Sequence, residues 1–118
     1  MKTNITKQKS FDFAVRIVNL YKFLVENKKE FVMSKQLLRS GTSVGANIRE
    51  AFNAESDNDF IHKLGISQKE CDETLYWLEL LKTTNYLDEK EFTSIYEDGV
   101  EMLKIIKSVI LTKRGKRL

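Results

Sequence analysis

One histidine, one cysteine and 17 carboxylates are the chain's raw material for metal binding or acid–base work. A di-iron centre in a helical bundle needs two Glu-x-x-His pairs and two further carboxylates. The only comparable spacing is Asp59-x-x-His62, and a single histidine cannot supply both pairs, so His62 reads as a surface or interface residue. Cys71 stands nine residues further on, half a helical turn out of phase with His62, and so has no base to activate it. It falls on an apolar stripe, where a small buried hydrophobe is the ordinary explanation. One cysteine also excludes an intrachain disulfide and any multi-cysteine zinc site. The run Ser40-Gly41-Thr42-Ser43-Val44-Gly45 lacks both the Gly-Lys-Ser/Thr ending and the preceding strand of a phosphate loop. Ser40, Ser43 and Asn47 form a polar row beside those glycines, suited to hydrogen bonds across a helix contact or to the preceding turn. Glu50, Glu70 and Glu73 lie near apolar faces and are expected to pair with Arg39, Arg49 or Lys69. The chemistry expected is therefore no catalytic residue, no cofactor and no metal.

Four segments with helical periodicity carry these residues, and the absence of proline agrees with long helices. The first runs from about Ser10 to Glu26. It has one stripe of Phe11, Ala14, Val18, Tyr21 and Val25, and a second of Phe13, Ile17, Leu20 and Leu24. The second starts at Ser34 as N-cap, with Met33 and Leu38 as a hydrophobic staple. Leu37, Gly41, Val44, Ile48 and Ala51 form its stripe. Gly41 and Gly45 each cost about 1 kcal/mol against alanine inside a helix, which implies close backbone packing on a neighbour. The third starts at Ser56, with Asp57 and Asp59 set against the helix dipole. Tyr76, Trp77 and Leu80 add apolar surface off its main stripe, which predicts a subunit interface there. The fourth opens with a capping box, Asp88 and Glu91, and a staple, Leu87 and Phe92. Short connections make neighbours antiparallel, so the fold expected is an all-α, up-down-up-down four-helix bundle.

At 118 residues and 13.8 kDa the chain makes one domain able to bury a core without metals or disulfides. Its longest apolar run, Leu75 to Leu78, is far too short for a bilayer. Met1 to Ser10 has no apolar stretch of signal-peptide type, so a cytoplasmic protein is expected. The net charge of +3 is unevenly placed. Ser10 to Thr112 holds 13 Lys/Arg against 17 Asp/Glu. The positive excess sits in short tails at about 1–9 and 113–118, namely Lys2, Lys7, Lys9, Lys113, Arg114, Lys116 and Arg117. Such ends are either solvated or arms that meet phosphate.

The middle of the chain resembles a known family. Gln36-Leu37-Leu38-Arg39-Ser40-Gly41-Thr42-Ser43-Val44-Gly45-Ala46-Asn47-Ile48-Arg49-Glu50-Ala51 looks like the signature of the four-helix-bundle 23S rRNA-intervening sequence proteins. The block Asp59 to Leu78 is similar to their second signature, with Ser67-Gln68 and Cys71-Asp72 where members more often carry alanines or an arginine. The resemblance implies a ring-like homopentamer and no established enzymatic activity. Members are encoded within insertions in bacterial ribosomal RNA genes and at ordinary chromosomal loci. Similar accessory proteins of diversity-generating retroelements are basic pentamers that bind nucleic acid and a reverse transcriptase. The function expected is thus a non-enzymatic, oligomeric binding or scaffold protein, with RNA or DNA met through Lys113, Arg114, Lys116 and Arg117. The competing readings are an adaptor for a protein partner and an enzyme whose site forms between subunits.

Overall fold

Helix begins earlier and ends later than apolar periodicity alone predicts. The computed structural model describes residues 2–117, with side chains from 5 to 115. Its elements are α1 (Lys2–Lys28), α2 (Met33–Phe52), α3 (Asp57–Thr83) and α4 (Glu89–Arg117). The eight residues added before Ser10 follow from a stripe that apolar counting cannot see. Thr6 and Ser10 are buried in helical register with Phe13, Ile17 and Leu24, and Ser10 Oγ satisfies its own donor on Lys7 O at 2.8 Å. At the other end Lys113 continues the inward face of α4, with its amine 5.3 Å from the Phe60 ring centroid and 2.9 Å from Asp57 Oδ1. The segments expected to be tails at 2–9 and 113–117 are therefore helical.

The turns show which local signals act. Ser56 caps α3, its hydroxyl accepting from Asp59 N at 3.0 Å. Asp88 Oδ1 accepts from Glu91 N at 2.7 Å, and Asp88 N reaches back towards Glu91 Oε1 at 3.4 Å, the expected capping box. Ser34 is not the cap of α2, which corrects the sequence reading. The carboxylate of Glu30 takes that place, accepting from Val32 N and Met33 N at 3.1 Å each and from Ser34 N at 2.7 Å. Ser34 Oγ instead donates to Glu30 O at 2.8 Å. A carboxylate reaching three orphan donors satisfies more of the helix start than one hydroxyl can. α3 ends with Asn85 left-handed at φ 72°, Tyr86 N bonding Leu81 O at 2.9 Å and Asn85 N bonding Lys82 O at 3.0 Å.

Each helix packs on its sequence neighbours and α1 closes on α4, giving the antiparallel up-down-up-down bundle, about 49 Å long and 21 Å across. Ile17, Leu37, Ile48, Leu64, Leu78 and Ile106 are fully buried at its centre. The α1–α4 seam is the loosest. Polar bridges line it: Arg16 to Asp98 at 2.6 Å and to Ser94 Oγ at 3.0 Å, and Lys9 to Glu101 at 3.3 Å. No helix is long and apolar enough to cross a membrane among the described residues.

Candidate nucleic-acid interface

Antiparallel topology puts the start of α1, the α2–α3 turn and the end of α4 at one end of the bundle. Thr6, Phe52, Ser56, Phe60 and Lys113 accordingly line one open cavity of about 500 Å³ there. Arg114 is exposed beside it, whereas Lys113 is half-buried and already tied to Asp57. The four bases proposed from sequence are thus unequal: Lys113 is a structural link, Arg114 is free to meet solvent, and the side chains of Lys116 and Arg117 lie outside the described residues.

Around the corner of the same end, α1 and α2 frame a groove of about 420 Å³. Lys7, Phe11 and Ala14 come from α1, and Thr42, Ala46 and Arg49 from α2. Its floor is low because the helices nearly touch at Gly45, where an added Cβ would sit 3.2 Å from Ser10 O. Gly41 is tighter still, its Cβ position 2.7 Å from Ile17 Cγ2. Neither Lys7 nor Arg49 makes a side-chain ion pair among the described residues, whereas Arg16, Arg39, Lys63 and Lys82 each do. Lys63 pairs with Glu50 at 3.0 Å, Lys82 with Glu89 at 3.0 Å, and Arg39 with Glu70 at 3.1 Å and with Glu73.

Most side chains with potential chemistry take structural places in the bundle. Cys71 is buried, burial and then the nearby Asp72 push its thiol up to about 12, and its Sγ contacts Gly99 O at 3.4 Å. His62 is exposed. Ser40 accepts from Thr74 Oγ1 at 2.9 Å across the α2–α3 contact, Ser43 donates to Arg39 O at 2.6 Å, and Asn47 donates to Ser43 O at 2.9 Å. Glu73 is held below the usual carboxylate range by the Trp77 indole N–H, 2.9 Å away, and by Arg39. No group of three His, Cys, Asp or Glu residues able to hold a metal occurs among the described residues. Trp77 and Leu80 are half-buried within the chain and Trp77 packs on the core, while Tyr76 is 56 % exposed.

Sequence reasoning missed the groove. Lys7 and Arg49 are 42 positions apart and neither spacing nor composition joins them; only the α1–α2 contact does. The pairing of Asp57 with Lys113 was equally out of reach.

Comparison with known proteins shows which chains this one is similar to. The 23S rRNA-intervening sequence protein family matches over residues 2–108. The fold is similar to the crystal structure of a protein with unknown function from the S23 ribosomal protein family of Bacteroides thetaiotaomicron. That chain is 61% identical with a TM-score of 0.92, over 93% of this chain and 98% of that one. No curated protein matches.

Proposed function

The chain belongs to the 23S rRNA-intervening sequence protein family, and from that premise we propose that it is a non-enzymatic, self-associating scaffold that binds RNA or DNA through the basic end of its bundle. The carrying observation is that Lys7, Arg49 and Arg114, none of which makes an ion pair among the described residues, gather at one end of the bundle. Exposed, uncompensated cations gathered on one face release counterions when they meet phosphates. Self-association would repeat that face and raise the effective concentration of each later contact.

Truncation after Thr112 is a poor test, because it also removes the Lys113–Asp57 link. The triple substitution Arg114→Ala, Lys116→Ala and Arg117→Ala spares it. Binding of a labelled 20-mer to the full chain should weaken steeply with salt. The triple variant should lower the magnitude of the log–log slope by about 2 for each protomer engaged, at roughly 0.7 per phosphate contact on single strands. Absence of binding by the wild-type chain at low salt would transfer the function to a protein partner. An unchanged slope in the triple variant would remove the chain end from the interface.

A further inference from the structure

The geometry points to the α1–α2 groove as a seat for single-stranded RNA, with a base stacked on Phe11 and the flanking phosphates on Lys7 and Arg49. The inference rests on the nucleic-acid reading above and deepens it, giving Lys7 and Arg49 of that end a specific occupant that does not involve the C-terminal bases.

Three features of the groove combine. Phe11 is 56 % exposed at its rim, an arrangement that leaves a ring face open to solvent. Lys7 and Arg49 line the groove on either helix and, with Gln8 and Phe11, also line the adjoining depression. The one carboxylate lining the groove, Glu50, has its Oε1 paired with Lys63 of α3 at 3.0 Å. An aromatic ring and two cations along one groove are what a polynucleotide with unpaired bases requires: stacking for the base and charge for the backbone. A duplex offers no free base face to Phe11. Ala14, Gly45 and Ala46 keep the floor shallow, so a flat ring meets no bulky side chain there.

The choice of RNA rests on Thr42, which also lines the groove. Its hydroxyl donates to Leu38 O at 2.7 Å. With its proton committed, the oxygen is left as an acceptor, and it suits a ligand that brings a donor. The ribose 2′-hydroxyl is such a donor and deoxyribose lacks it.

The test uses the full chain with fluorescent 12-mers of uridine, deoxyuridine and an RNA duplex, read by anisotropy. Phe11→Leu keeps the apolar bulk and removes the ring face. It should weaken oligouridine binding about five-fold or more and leave duplex binding unchanged. Lys7→Ala with Arg49→Ala should lower the magnitude of the salt slope by about 1.4. Oligouridine should bind more tightly than oligodeoxyuridine, and Thr42→Val should erase that preference. Circular dichroism melts check that the variants fold. Wild-type affinity in both the Phe11→Leu and the double-alanine chains overturns the groove while leaving nucleic-acid binding in place. Equal affinity of the wild-type chain for the two single strands overturns the assignment to RNA. A change in molecular mass of either groove variant assigns the groove to contact between copies, and overturns the inference. No binding of any oligonucleotide by the wild-type chain overturns both this inference and the function it rests on.

Discussion

Gly41 and Gly65 lie in long helices, yet the space around them differs completely. A methyl group at Gly41 would come within 2.7 Å of Ile17 Cγ2 and 2.8 Å of Cγ1, whereas at Gly65 nothing lies within 4 Å. Ile17 is fully buried and β-branched, so its χ1 has little freedom to yield. Gly41→Ala should therefore destabilise through overpacking, by about 1–3 kcal/mol before a helix-propensity gain of about 1 kcal/mol is subtracted. Gly65→Ala has only the gain, and should stabilise by about 1 kcal/mol. Denaturant midpoints measured on both variants decide the matter, and equal upward shifts would mean that α1 can move away from Gly41. Sequence alone marks both glycines as costly in a helix. It marks Gly41 further by its place on an apolar stripe, and it says nothing of Ile17 as the neighbour.

Glu30 sets the start of α2 and gives that element a dependence on pH. Burial raises its pKa, but hydrogen bonds from Ser34, Met33 and Val32 outweigh burial and hold it below the usual value of 4.5. A carboxyl with a depressed folded pKa contributes stability that is fully present above its unfolded value and lost as pH falls through the folded one. Thermal midpoints of the wild-type chain should accordingly fall on acidification below about pH 5, with other carboxylates adding to the trend. Glu30→Gln should lower the midpoint near neutral pH and make that acid decline shallower. If the two chains decline in parallel, the α2 cap does not depend on the charge. The other caps were legible because Ser56 with Asp59 and Asp88 with Glu91 are short-range patterns. The Glu30 cap escaped because Ser34 offers a competing pattern, and because an acid three residues before a helix reads as part of the polar break.

The assembled molecule exposes apolar side chains that its own core does not use. Tyr76 is 56 % exposed beside Trp77, with ring centroids 5.0 Å apart, and Phe11 and Leu111 are exposed on α1 and α4. Self-association in solution is the outcome predicted, with Tyr76, Trp77 and Leu80 at a contact. Light scattering at micromolar concentration should give a multiple of 13.8 kDa, and Tyr76→Glu should shift the mass towards the single chain. A wild-type mass of one chain would remove the interface. What the sequence by itself determined is the set of four helices, the starts of α3 and α4 and the faces they bury, because caps and 3.6-residue periodicity act over a single turn or a single helix. Composition likewise bounded the ligands the chain can bring together, with one histidine and one cysteine. Tertiary structure alone decided that Lys113 serves Asp57 and that Lys7 and Arg49, without an ion pair among the described residues, line one groove with Phe11. Those relations join residues tens of positions apart, and they exist only once antiparallel packing has brought separate helices to the same end.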